Sequence, residues 1–319
     1  MHRVSLAYLA TAALAPTAGV LAAPVRGAWS AAAINCTREF LKANTDTYIA
    51  AQTAGKPAGV LALAGIHGSN NSSSSSSSNG THIDYAEDAI ARDPATGVLA
   101  LPLAIVHNSS LLDTTQCATY TELIVTDPAH PRVIGTQMRF SAADGGRLTK
   151  MESFVTQTGD WAFNASGTLH YAEAETGKWG TIPAADRDSR ATIQAAADAY
   201  LDLFNNKSVV VPWGTPCDRL EGSMYTGNGS ATDSCDVGVP SGVRIFNRRY
   251  VIDETVGAVD AMVTFVTRPD SHEFRIEKGK IRFVHTLTVM RNLTEEAEVA
   301  AASLKTAHTR RTKRSRWLW

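Results

Sequence analysis

The stretch Asp46-Thr47-Tyr48-Ile49, set in a helical pattern, returns as Asp198-Ala199-Tyr200-Leu201, and the strand start Gly146-Arg147-Leu148 returns as Gly279-Lys280-Ile281. The first pair of matches lies 152 residues apart and the second 133, so the first copy is longer by 19 residues. An insert of about that length surrounds Ser72 to Ser78. Two related units are therefore expected, one of them interrupted by a low-complexity loop, and internal repetition of this kind constrains architecture before any single element does.

Around the first match, Phe40, Leu41, Asn44, Tyr48 and Ala51 fall at helical spacing and predict a helix over 37–54, ended by Gly55 to Pro57. Around the second, Asp188 or Ser189 caps a helix whose buried stripe is Ile193, Ala197, Tyr200, Leu201 and Phe204. Strand-like segments follow at 99–106, 120–126, 133–140 and 148–156 in the first unit, and at 248–254, 259–267, 273–277 and 281–289 in the second. Residues 209–242 hold Pro212-Trp213-Gly214, two Cys and several Gly, and predict loop and short turns. The Ser, Asn and Gly of 68–80 are too polar to bury and too costly in entropy to order. The expected organisation is a leader over 1–23, a first unit over 30–160 with its insert at 68–80, a bridge over 161–187, a second unit over 188–292, and a C-terminal helix with a basic tail over 293–319.

At 319 residues and 44% hydrophobic, the chain can bury one large core or two ordinary ones. Arg3, the apolar run behind it, and Ala22-Ala23 have the layout of a secretory signal, with no membrane anchor expected after its cleavage. Export gives meaning to the Asn-x-Ser/Thr sequons at Asn35, Asn70, Asn71, Asn79, Asn108, Asn164, Asn206, Asn228 and Asn292, which become candidate glycosylation sites. Four Cys in an oxidising compartment predict two disulfides in one of three connectivities. Pairing within units, Cys36 with Cys117 and Cys217 with Cys235, is the expected one; the competing reading leaves Cys117 a buried thiol. No Cys-x-x-Cys spacing calls for zinc, and neither metal nor cofactor is expected. The formal charge is −1, but six cations from Lys305 to Arg316 and Arg3 of the leader leave the rest at about −8. Such an acidic core argues against nucleic acid as the main partner.

A long helix, an irregular segment, then antiparallel strands with a tight Gly turn before the last resembles the α+β cone of NTF2-like and SnoaL-like proteins, here in tandem. That resemblance implies a sheet curled round helices with an apolar cavity inside. The strings Cys117-Ala118-Thr119-Tyr120-Thr121-Glu122, Gly159-Asp160-Trp161, Asn247-Arg248-Arg249-Tyr250-Val251-Ile252-Asp253-Glu254, Asp270-Ser271-His272-Glu273-Phe274-Arg275 and Val284-His285-Thr286 are similar to a family of secreted fungal proteins carrying a domain of unknown function, DUF8021. The family name implies no activity.

Alternation along 281–289 puts Ile281, Phe283, His285, Leu287 and Val289 on one face, which predicts His285 on an apolar cavity wall with a lowered pKa. The same rule places Tyr250 and Glu254 on one face, so His285, Tyr250 and Glu254 are the candidate proton-transfer residues. Arg249, His272 at the rim of the same sheet face, Trp213 as a lid aromatic and Glu221 beside Arg219 are the candidate ligand contacts. The first unit has no His in the place of His285, which favours the second unit as the working one. There is no Gly-x-Ser-x-Gly elbow, phosphate loop, Gly-x-Gly-x-x-Gly or His-x-x-x-His pair, so hydrolase, kinase, dinucleotide and metalloprotease readings lack their usual support.

The expectation is an exported glycoprotein holding a hydrophobic small molecule in the second cavity, with any reaction a cofactor-free dehydration, isomerisation or cyclisation. Such folds in fungal secondary metabolism resemble this chain in that respect. The rival is a non-catalytic secreted module that binds a ligand or surface, or that forms a homodimer through an open sheet face.

Overall fold

The computed structural model describes residues 33–66 and 83–291. The leader, the Ser-rich insert, the C-terminal helix and basic tail, and Asn70, Asn71, Asn79 and Asn292 lie outside the described residues. Thr37 accepts a hydrogen bond from the Phe40 amide and starts helix α1 (Arg38–Ala54), which ends at Gly55 and is followed by the short α2 (Ala58–Leu63). Then come β1 (Asp84–Glu87), β2 (Ile90–Ala91), β3 (Ile105–Asp113), β4 (Ala118–Val125), β5 (Arg132–Ser141) and β6 (Arg147–Thr156). After α3 (Ala165–Ala174), Ser189 caps α4 (Arg190–Leu203) through the Thr192 amide. The chain closes with β7 (Trp213–Glu221), β8 (Met224–Tyr225), β9 (Ile245–Asp253), β10 (Ala258–Phe265), β11 (Arg268–Glu277) and β12 (Lys280–Thr288).

The strands form two six-stranded mixed sheets with the same plan, β2-β1-β6-β5-β4-β3 and β8-β7-β12-β11-β10-β9. In each, the first strand of the unit, β1 or β7, runs parallel to the last and the other pairs are antiparallel. The architecture is α+β. The matched sequence stretches fall at matching places: Tyr48 of α1 and Tyr200 of α4 are both fully buried in the core between helix and sheet. Each Gly turn leads into the last strand of its sheet, and both last strands carry a bulge at the same point, where one extra residue, Thr149 or Arg282, enters against the neighbouring strand.

One face of each sheet packs on its helix, and the other faces meet. Leu111, Tyr120 and Phe154 of the first sheet form one apolar cluster with Val251 and Met262 of the second. The sheets come close at Gly135, where a Cβ would meet the Tyr120 hydroxyl at 2.8 Å and Leu287 at 3.2 Å. The open sheet face that a homodimer was expected to use is therefore covered within the chain itself.

The junction has an internal two-fold logic. Asp113, at the end of β3, accepts from the Ile252 amide of β9 and from Arg190, the first residue of α4. Asp253, at the end of β9, accepts from the Leu112 amide of β3 and from Arg38, the first residue of α1. Each unit thus anchors the helix start of the other.

Two expectations of local structure fail for physical reasons. Residues 99–106 hold a single 3-10 turn (Val98–Ala100), and the strand begins only at Ile105. Within 209–242 the expected loop contains β7, whose Gly214 and Pro216 hide it in the sequence; it pairs parallel with β12 across a register shift. The disulfides are Cys36–Cys117 and Cys217–Cys235, the within-unit pairs. The second closes an 18-residue separation, for which chain-entropy arguments give about 3 kcal/mol. Replacing both Cys217 and Cys235 by Ala is expected to lower unfolding stability by about that amount in urea melts.

Candidate functional site

Two cavities lie on opposite faces of the second sheet. The larger, about 500 Å³, lies between the end of α4, the β7–β8 hairpin and the helix-side face of β11 and β12. Its apolar wall includes Phe204, Phe265, Met224 and Trp161. Gly222 makes the hairpin possible: its φ is +60°, and a Cβ there would meet the Trp161 carbonyl oxygen at 2.7 Å.

The polar wall of this cavity is built by alternation. Asp270 and His272 project from β11, and Thr286 and Thr288 from β12. Arg219 of β7 is buried; its Nη1 donates to the carbonyls of Cys235 and Val237 at 3.1 and 2.6 Å, and its Nε to Glu221 Oε1 at 3.0 Å. The Cys217–Cys235 disulfide therefore fixes the loop that orients this guanidinium. His272 is 2% exposed, stacked on Phe274 and edged by Tyr200. Burial, helped by the Arg219 charge, pushes its pKa down to about 3, so the imidazole stays neutral. Its Nδ1 has no hydrogen-bond partner; Asp270 Oδ2 lies 3.3 Å away but outside hydrogen-bonding geometry. Thr286 Oγ1 is a second buried atom without a partner. Burial also pushes the Asp270 carboxyl well above its ordinary range, although Thr288 donates to it at 2.7 Å.

The smaller cavity, about 300 Å³, lies between the sheets. Glu122 of β4, Glu273 of β11 and His285 of β12 meet there, with one potential ligand atom of each within 4.8 Å of the others. His285 Nε2 is 3.0 Å from Glu175 Oε2, just beyond α3. Trp179 Nε1 and the Tyr225 hydroxyl donate to the same carboxylate at 2.6 and 2.7 Å. Burial works against a charged imidazole, but the Glu175 hydrogen bond and the surrounding carboxylates raise His285 to about 9. Burial likewise works against Glu175, but the bonds from His285, Trp179 and Tyr225 hold its pKa low. For Glu122 and Glu273 burial dominates and raises both.

The structure redistributes the expected site. His285 does not line the larger cavity, and its pKa rises rather than falls. The bulge at Arg282 is the reason: Ile281 and Val284 pack together toward α4, and His285 is turned to the other sheet. Tyr250 does not join it, because its hydroxyl donates to Asp198 of α4 and ties strand to helix. Glu254 lies past the end of β9, in the turn to β10, where strand alternation no longer applies. Arg249 lines neither cavity and instead forms a two-point ion pair with Glu152 of the first sheet. Trp213 packs edge-on against Tyr200 and is no lid. Glu221 and His272 do line the larger cavity, with His272 buried in it rather than at a rim.

Glu122, Glu175 and Glu273 were missed. The available signal was an acid in the midst of apolar strand positions, as in Tyr120-Thr121-Glu122-Leu123-Ile124. Asn35, Asn108, Asn164, Asn206 and Asn228 are all exposed, although Asn164 also caps α3 through its side-chain oxygen.

Residues 186–288 match a family model described as a domain of unknown function, DUF8021, a span that covers α4 and all of the second sheet. No curated protein matches the chain.

Proposed function

We propose that the larger cavity binds a mostly apolar small molecule carrying a hydroxyl or carbonyl group, in an exported glycoprotein built of two NTF2-like/SnoaL-like units. The observation that carries this is an apolar space of about 500 Å³ lined by His272 and Thr286, each of which has a buried side-chain polar atom, Nδ1 and Oγ1, without a hydrogen-bond partner. Buried polar groups without partners are costly, and a ligand hydroxyl or carbonyl supplies the missing bonds. The shared sheet plan, with a helix packed on one face of each, supports the tandem-cone architecture. Two disulfides and five exposed sequon asparagines support export, as does the resemblance to secreted fungal proteins. Among the described residues no helix is long and apolar enough to cross a membrane.

A catalytic version draws on one further observation. His272 is held neutral, as a hydrogen-bond partner of a substrate oxygen needs to be, and Glu221 shares the cavity as the group to accept a proton. Dehydration, isomerisation or cyclisation by proton transfer fits that set. A binding module would use the same atoms without turnover.

Native mass spectrometry of the full-length protein, after incubation with a lipophilic extract of its producing culture, tests both. Wild type is expected to retain a small molecule, with His272→Leu weakening retention at least tenfold and Thr286→Val about fivefold. A molecule held by wild type and, at higher concentration, by His272→Leu, yet altered only by wild type, establishes catalysis. No retained molecule, or retention indifferent to both substitutions, sinks the proposal.

A further inference from the structure

The two sheets present two corresponding locations in the space between them, and among the described residues only one holds an arginine. Strand register makes the correspondence residue by residue. Arg249 of β9 lies opposite Met262 of β10 as Ser109 of β3 lies opposite Glu122 of β4. Gln137 of β5 lies opposite Glu152 of β6 as Glu273 lies opposite His285. At the first location the Arg249 guanidinium sits on Glu152, with Nε to Oε2 and Nη2 to Oε1 both at 2.9 Å. At the second, Ser109 stands where the arginine would be, and Glu122, Glu273 and His285 face a cavity of about 300 Å³.

Glu122 and Glu273 are only 2% and 3% exposed, and the charge they face is that of His285, which is itself bonded to Glu175. Two carboxylates buried side by side that share one imidazole are more costly than Glu152 with a guanidinium of its own. A protonated pair is one escape. A bound cation is the other, and the surroundings are arranged for it.

We propose that Glu122, Glu273 and His285 bind one divalent transition-metal ion, of the zinc or manganese kind, which supplies at this location the positive charge that Arg249 supplies at the other. The donor set is two carboxylates and an imidazole with no sulfur, which suits such ions and disfavours soft ones. Metal-bound histidines usually give their second ring nitrogen to a carboxylate, which fixes the ring. Here Glu175 holds Nε2, and Trp179 and Tyr225 hold Glu175 in turn. Nδ1 is the nitrogen left to the cluster, and ion binding releases its proton to solvent. Bonds of about 2.0–2.2 Å bring tetrahedral ligand atoms to about 3.4 Å from one another, so a modest rotation of the two carboxyls completes the set. Three protein ligands leave a coordination position open to the cavity, whose lining continues to His107 and Asn108. This site lies across β12 from the ligand cavity and does not depend on it.

The test uses the full-length protein, stripped with a chelator and titrated calorimetrically with Zn²⁺ and, separately, Mn²⁺, with stoichiometry read by native mass spectrometry. One ion per chain is expected. Glu122→Gln and Glu273→Gln each lower affinity at least 100-fold. Glu175→Gln removes no ligand and lowers it 10- to 100-fold through loss of ring orientation. Ser109→Arg, which installs the other location's cation, abolishes uptake with an unchanged far-ultraviolet circular dichroism spectrum. Should Glu273→Gln fail to fold, Glu122→Gln and Ser109→Arg, both on the facing sheet, decide the matter. Failure of stripped wild type to bind either ion at about 1 mM overturns the proposal, as does uptake that survives both Glu122→Gln and Ser109→Arg.

Discussion

Asp113→Ala is expected to destabilise the protein by about 3–5 kcal/mol, read as a shift of the urea unfolding midpoint at unchanged slope. The carboxylate is fully buried and accepts five hydrogen bonds: two from Arg190, and one each from the amides of Thr115, Gln116 and Ile252. Its removal strands the buried Ile252 amide, at about 1–3 kcal/mol, and leaves the Arg190 charge without its partner. Arg190 keeps 21% of its side-chain surface in solvent, which holds the total below that of a fully buried pair. Arg190→Ala should therefore cost less, about 1–2 kcal/mol, because Asp113 retains its backbone donors. The corresponding pair sharpens the test. Asp253→Ala strands Leu112 and Arg38 in the same way and should fall in the same range. A loss below about 1 kcal/mol for Asp113→Ala would mean that the exchange of carboxylates between units is not what locks the sheets together.

Much of the framework was legible because it is local. The helix stripes around Tyr48 and Tyr200 follow from 3.6-residue spacing, and the Gly turns announce the last strand of each sheet. Within-unit disulfides followed from duplication. What failed depended on partners distant in sequence. β7 survives its Gly214 and Pro216 only because β12 runs beside it, and no window over 213–221 reveals that. A single bulged residue, Arg282, reversed the face of His285, because a two-residue period carries no memory of an insertion. Residues 122, 273 and 285 come from two sheets and 175 from a loop, so their meeting is a fact of topology. The first unit, which lacks a counterpart to His285, was expected to be scaffold; it supplies Glu122 to the cluster.

Acidification should stabilise the protein through Asp260, by about 4 kcal/mol between pH 8 and pH 4, and Asp260→Asn should remove that part of the pH dependence. Asp260 of β10 is fully buried where the sheets meet. Burial raises its pKa from 3.8 to about 7, even though Ser271 Oγ and Gln137 Nε2 donate to it at 2.5 and 2.6 Å and Arg249 and Arg139 lie nearby. Glu273 faces it from β11, and the Tyr120 hydroxyl of β4 also feels its charge. Because the folded pKa exceeds the unfolded one, the folded state binds the proton more tightly. The resulting stability is fully present below pH 3.8 and is lost as pH rises through about 7. Each unit between the two values is worth about 1.4 kcal/mol. Glu122, Glu273 and Asp270 push in the same direction, whereas His272, with its depressed pKa, loses stability below its unfolded value near 6.5. The raw stability curve is therefore a sum of opposing slopes, and the difference between variant and wild type isolates Asp260. Asparagine keeps one acceptor oxygen, so at pH 4 the variant should be weaker by about 1 kcal/mol, and at pH 8 stronger by about 3. Urea unfolding of both proteins in chelator at several pH values measures this crossing. A difference that stays constant from pH 4 to pH 8 would show that Asp260 is as easily ionised in the fold as in the unfolded chain, and that the interface between the sheets is wetter than its packing indicates.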